Sequence, residues 1–210
     1  MFYFYIAYVI IADMSIIFRA EGNQNLLELL LLHRYCDGTF DIKIYILNVG
    51  VYLMCIAYNM KVLSQQRIIE RYVYVRQTQM EHYVNNTLEV LFVTYKMAIT
   101  RIIIDLIFYC VNEIRNKMIL NVTKICDIEI NILSTYTILC LMMVVLNKCI
   151  NNIKIVYWCI VTLLIIVEYV ICNYLHLIVN AVRYNFIFKL LLIVVLVITS
   201  RMLDRKKDIY

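Results

Sequence analysis

Long uninterrupted apolar stretches are the feature that most limits how this chain can fold. A helix needs about 20 residues to cross about 30 Å of hydrocarbon. Six stretches approach or reach that length, at residues 2–18, 43–60, 90–111, 128–147, 153–175 and 186–203. They lack the polar alternation of barrel strands, and backbone groups in lipid must bond within their own helix. The sequence therefore predicts an all-α integral membrane protein, a bundle of about six transmembrane helices forming a single polytopic domain over residues 1–210.

The composition favours the same class of protein. Hydrophobic residues make up 64% of the chain, charged residues make up 17%, and proline is absent. These values lie outside the range of soluble globular domains. We therefore expect the chain to be embedded in the lipid bilayer. We expect no nucleic-acid partner.

Residue patterns that hold metals or nucleotides are missing from the sequence. Most of the eight cysteines lie within or beside apolar stretches, where a cysteine commonly acts as a small apolar side chain. There is no CxxC spacing and no GxxxxGK[ST] phosphate loop. We predict that the chain binds no cofactor or metal and is not itself an enzyme.

The positions of lysine and arginine indicate an orientation. Cytoplasmic loops of membrane proteins carry an excess of these residues. The ending RMLDRKKDIY places four basic residues within seven positions directly after the last apolar stretch. With six spans this predicts a multi-pass protein of the cell membrane with both termini in the cytoplasm.

Residues 65–84, QQRIIERYVYVRQTQMEHYV, form the longest cytoplasmic loop of this topology. At helical spacing the segment has one apolar face, interrupted by Arg76, and one polar face, which includes Arg67, Glu70 and Arg71. The pattern predicts a cytoplasmic amphipathic helix between the second and third spans. Two interpretations remain: a helix lying on anionic lipid, or a helix whose Arg67, Glu70, Arg71 and Arg76 dock a partner protein.

Three segments resemble the permease subunits of ABC-2-type transporters, including those found with bacterial peptide or bacteriocin systems. They are ERYVYVRQTQMEHYV at the position of a coupling helix, the basic ending LDRKKDIY, and NYLHLIVNAVRYN between the last two spans. The chain departs from many such permeases because no basic helix precedes its first span. The resemblance implies a separate ATP-binding cassette ATPase subunit, a homo- or heterodimer of permease chains, and transport of a peptide or other amphipathic substrate.

Arg101 and Asp105 are charged residues inside the third apolar stretch. A charge near the bilayer centre costs several kcal/mol and usually has a structural or functional reason. The two residues are one helical turn apart and share a face, so we expect them to neutralise each other. The pair is interpreted either as a structural contact within the bundle or as a group that contacts substrate or changes partner during transport.

Glu168, His176 and Asn180 are further polar residues near the outer end of the fifth stretch. HLIVN matches the HxxxN element of CPBP-type intramembrane peptidases, but the EExxxR and FxxxH elements of that family are absent. A polar stripe along the helix is the favoured interpretation.

Other classes of function stay open at this point. STYTILCLMM resembles a signature of insect gustatory receptors, although two further spans follow it here. A non-enzymatic membrane protein, such as an immunity, sensor or assembly factor, is the main alternative to a permease.

Overall fold

The computed structural model describes residues 1–19, 41–73, 79–116, 122–150, 152–174 and 181–207. Within these ranges the chain is all-helical, which confirms the predicted α class. The six helices are α1 (Phe2–Arg19), α2 (Ile42–Val73), α3 (Gln79–Asn116), α4 (Val122–Cys149), α5 (Ile153–Tyr174) and α6 (Ala181–Lys207). Each contains one of the six predicted apolar stretches, apart from residue 175, which lies outside the described residues.

Two of the helices begin at side chains that cap their free N–H groups. Asp41 Oδ1 accepts hydrogen bonds from the backbone N–H groups of Lys43 at 2.8 Å and Ile44 at 3.2 Å, at the start of α2. Asn152 Oδ1 accepts one from Lys154 N–H at 3.0 Å, at the start of α5. Asp and Asn are preferred at this position because their short side chains reach the second and third N–H of the helix.

Hydroxyl groups within the apolar helices bond to the backbone one turn earlier. Ser15 donates to the carbonyl of Ile11, and Thr199 donates to that of Val195. The same bond is made by Thr94, Thr100, Thr137 and Thr162. Each hydroxyl is thus satisfied by its own helix, so these residues add little polarity to the helix surface.

The described residues of the segment 65–84 do not form the predicted separate amphipathic helix. Residues 65–73 are the last turns of α2, residues 79–84 are the first turns of α3, and residues 74–78 lie outside the described part. The prediction was wrong because a change from apolar to polar residues does not end a helix. The chain has no proline, and its three glycines all lie at or before Gly50, so nothing in this segment opposes continuation of the helix.

Side-chain contacts define how the helices run relative to one another. Contacts between α2 and α3 fall in opposite order along the two helices, so α2 and α3 are antiparallel; they join Asn48 to Arg101, Asn59 to Thr94 and Gln66 to Glu89. α1 is parallel to α3, because Tyr5 contacts Met97 and Asp13 contacts Asp105. α4 packs against α2, α3, α5 and α6. α1 approaches α2 closely at Gly50, where a Cβ atom would meet the phenol oxygen of Tyr8.

In the part of the chain that the structure describes, two helices are long and apolar enough to cross a membrane, by length and composition alone. They are Ile42–Gln66, with 25 residues and a mean hydropathy of 1.5, and Ile132–Cys149, with 18 residues and a mean hydropathy of 1.7. Shorter apolar helices run from Phe2 to Phe18 and from Ile153 to Ile166. Only 56% of the first window and 50% of the second are buried, so a large share of each faces outward.

Candidate functional site

Arg101 and Asp105 face the interior of the bundle and contact each other. Arg101 Nε lies 3.4 Å from Asp105 Oδ2, and the two side chains are only 5% and 11% exposed. The contact expected from their spacing is therefore present. Because both residues belong to α3, this pair alone ties no other helix to α3.

α2 contributes two further contacts to the guanidinium of Arg101. Arg101 Nη2 donates a hydrogen bond of 2.7 Å to the side-chain carbonyl oxygen of Asn48. The guanidinium carbon lies 5.0 Å from the centre of the Tyr52 ring, within the range of a cation–π contact. The cation is thus held by a carboxylate, an amide and an aromatic face, drawn from two helices.

Asp13 brings a second carboxyl group to this site from α1. It is buried, with 5% of its surface exposed, and its carboxyl is in hydrogen-bond contact with that of Asp105. We call Asp13, Asn48, Arg101 and Asp105 the charged cluster. Asp13 was not among the residues predicted from the sequence, although a charged residue within an apolar stretch is also the signal that identified Asp105.

Tyrosine side chains join four helices about one turn from the charged cluster, three of them through hydroxyl groups and α2 through an aromatic ring. Tyr5 on α1 donates to the carbonyl of Met97 on α3 at 3.0 Å, and its hydroxyl lies 2.7 Å from that of Tyr136 on α4. The Tyr136 ring in turn lies 5.3 Å from the ring of Tyr52 on α2. These contacts fix the spacing of α1, α2 and α4 around the Arg101 side chain.

Three polar atoms of the charged cluster lack a hydrogen-bond partner among the described residues. They are Asp13 Oδ2, Asp105 Oδ1 and Arg101 Nη1. Buried polar atoms are usually satisfied, because leaving one unpaired costs about 1–3 kcal/mol. A hydrogen on one of the carboxyls, or a polar ligand, would satisfy atoms of this cluster that are otherwise unpaired.

A second buried cation lies between α4 and α6. Lys189 Nζ donates to Thr135 Oγ1 at 2.7 Å, and Lys189 is only 7% exposed. Lys148 Nζ donates to Ser200 Oγ at 3.1 Å, further along the same two helices. Lys189 was not predicted from the sequence, because its only signal is a single basic residue near the start of the last apolar stretch.

The remaining predicted site residues are not brought to the charged cluster by any described contact. Arg67, Glu70 and Arg71 lie in the last turns of α2, and Arg76 lies outside the described residues. Glu168 lies in α5, while His176 and Asn180 are also outside the described part. Their roles remain predictions. Among the described residues no group of three or more His, Cys, Asp or Glu side chains is arranged to hold a metal ion.

Comparison of the chain with protein-family models, with curated proteins and with solved structures gives no match. The function is therefore inferred from the arrangement of these side chains.

Proposed function

We propose that the chain is a multi-pass membrane protein that acts as the membrane-embedded subunit of a transporter. The proposal is based on a distribution of polarity opposite to that of a soluble protein, with apolar side chains outside and charged side chains inside. Phe18, Trp158 and Leu191 are 81%, 66% and 61% exposed, while Asp13, Asn48, Arg101 and Asp105 are buried. Water disfavours such an apolar outer surface, whereas lipid matches it.

The length of α3 supports a helix bundle that spans a bilayer. α3 has 38 residues, which corresponds to about 57 Å at about 1.5 Å per residue, against a hydrocarbon thickness of about 30 Å. Arg101 lies near the middle of the apolar stretch 90–111, so the charged cluster is expected near the bilayer centre. Ionisable residues at that depth most often belong to a substrate pathway, an ion pathway or a switching contact.

The α2–α3 hairpin supports a cytoplasmic docking element. Gln66 Nε2 donates to Glu89 Oε2 at 2.7 Å, and both helices continue beyond this bond, α2 to Val73 and α3 back to Gln79. The end of this hairpin carries Arg67, Glu70 and Arg71, and it takes the place of the separate coupling helix that the sequence suggested. A separate ATP-binding cassette ATPase docks there and drives movement of a peptide or other amphipathic substrate, as in the permeases that the chain resembles.

Two further expectations belong to this proposal. The N-terminus and the C-terminal basic tail face the cytoplasm together with the hairpin end. Two permease chains form the complete transporter, as a homo- or heterodimer, because six helices are few to enclose a translocation path.

Co-purification tests the ATPase partner. The full chain is extracted in mild detergent and its bound proteins are identified, for the wild type, Glu70→Lys, Arg71→Lys and the matched control Arg201→Lys. Glu70→Lys should weaken recovery of the ATPase most, since it reverses a charge. Arg71→Lys should weaken it less, because lysine lacks the planar fork of arginine, and Arg201→Lys on α6 should leave it unchanged.

Recovery of the wild-type chain without any ATPase would contradict the permease proposal. The same bundle would then be that of a non-enzymatic membrane protein, such as an immunity, sensor or assembly factor.

A further inference from the structure

The contact between Asp13 and Asp105 requires a hydrogen that no neighbouring group supplies. Both carboxyls are buried and in hydrogen-bond contact across the α1–α3 interface. Two ionised carboxylates have only acceptor atoms, so they cannot bond to each other. Within the described part of the chain, no donor reaches Asp13 Oδ2 or Asp105 Oδ1. A hydrogen bond between the two carboxyls, with no donor from another residue, therefore requires that one of the carboxyls is protonated.

The charge balance of the cluster leads to the same requirement. With both carboxyls ionised, two negative charges face the single positive charge of Arg101. The cluster would then hold a net negative charge at a site where Arg101 and Asp105 are both buried. An uncompensated buried charge costs several kcal/mol, and one bound proton removes it.

The other titratable groups around the pair do not change this balance. The charged group that acts on both carboxyls is Arg101 on α3. Around Arg101 itself lie four further titratable groups, which are Tyr5 on α1, Tyr52 and Cys55 on α2, and Tyr136 on α4. Phenols and thiols are uncharged at neutral pH. Arg101 is therefore the only cation among the described side chains that face the two carboxyls.

We propose that Asp13 and Asp105 together form a binding site for one proton, which joins α1 to α3. When the proton leaves, the carboxyl O–H bond breaks and the proton passes to water. Two carboxylates then remain against one guanidinium, and their repulsion opposes the close contact of α1 with α3. Binding and release of the proton thus favour different separations of these helices. The inference goes beyond the proposed function and requires no ATPase partner.

Infrared spectroscopy of the purified full chain in lipid nanodiscs tests the proposal. At neutral pH exposed carboxyls are ionised, so the carbonyl stretch of a protonated carboxyl reports a buried acid. The variants are Asp13→Asn and Asp105→Asn, in which the amide mimics a protonated carboxyl and still donates to its neighbour. Asp41→Asn is the matched control, because asparagine also caps α2.

The wild type and Asp41→Asn should show a protonated-carboxyl band equivalent to one group per chain. Asp13→Asn and Asp105→Asn should each lose that amount, because the remaining carboxylate pairs with Arg101. The proposal is overturned if the wild type lacks the band. This outcome needs only the wild-type spectrum, so it can be tested even if the variants fail to fold. It is also overturned if both variants keep the full band, or if the band is present in potassium buffer and absent in sodium buffer, which would indicate a sodium site.

Discussion

Two asparagines on α2 each bond to α3, but they do so in different surroundings. Asn48 accepts a hydrogen bond of 2.7 Å from the charged Arg101, whereas Asn59 donates one of 2.9 Å to the neutral hydroxyl of Thr94. Both asparagines are buried. Of the α2–α3 contacts, these two thus differ in kind, one to a cation and one between neutral groups, at sites about three turns apart.

The difference lies in what remains when the contact is lost. The Thr94 hydroxyl also donates to the carbonyl of Val90 at 2.8 Å, so it stays satisfied without Asn59. Arg101 Nη2 has no such second bond within its own helix among the described contacts, and Nη1 already lacks a partner there. We infer that the charged contact determines helix packing, whereas the neutral contact only supplements it.

The largest expected effect comes from removing the cation of the charged contact. Arg101→Leu leaves two carboxyls in contact without a counter-charge, and should lower the free energy of unfolding by about 3–5 kcal/mol. Asp105→Leu should cost less, because Asp13 remains to balance Arg101. The double variant Arg101→Leu/Asp105→Leu should fold better than Arg101→Leu alone. Unfolding of the detergent-solubilised chain by denaturant measures all three, and equal values would refute the mutual neutralisation.

Removal of the amide that faces the cation should have an intermediate effect. Asn48→Leu keeps the side-chain volume similar but takes the acceptor away from Arg101 Nη2. The loss should be about 1–3 kcal/mol in the same unfolding measurement, the usual range for a buried polar group left unpaired. A loss within experimental error would place Asn48 on a level with Asn59 and remove the distinction between the two sites.

The smallest effect is expected at the neutral contact. Asn59→Leu removes the hydrogen bond to Thr94 and one of 3.2 Å to the carbonyl of Cys55, which keeps its place in the α2 backbone. It also removes Asn59 Oδ1, which has no hydrogen-bond partner among the described residues. The net change should stay below about 1 kcal/mol. A destabilisation as large as that of Asn48→Leu would show that burial alone, and not the charge of the partner, determines the cost.

The sequence predicted the helices better than their ends. Apolar stretches identify where helices lie because a long apolar run must satisfy its backbone internally in lipid. They do not identify where helices end, as the continuation of α2 to Val73 demonstrates. Without proline or glycine in this segment, the helix continues past the point where the side chains become polar.

The charged cluster was predictable only in part, for a related reason. Arg101 and Asp105 are one turn apart, so the period of the helix alone brings them together. Asp13 and Asn48 are distant in the sequence, and their contacts depend on how α1 and α2 pack against α3. A lone Asp in an apolar stretch indicates that a partner exists, but it does not identify the partner.

The central claim is that the apolar outer surface of the bundle faces lipid. The fluorescence of Trp158 tests this claim most directly. It is the only tryptophan of the chain, lies on α5 and is 66% exposed, so its surroundings report what the outer surface contacts. In vesicles containing brominated acyl chains, its emission should be strongly quenched and should resist quenching by aqueous iodide. The variant Trp158→Phe/Leu191→Trp, which moves the probe to the exposed face of α6, should behave in the same way. Quenching of both probes by iodide, with no effect of brominated lipid, would contradict a membrane-embedded bundle.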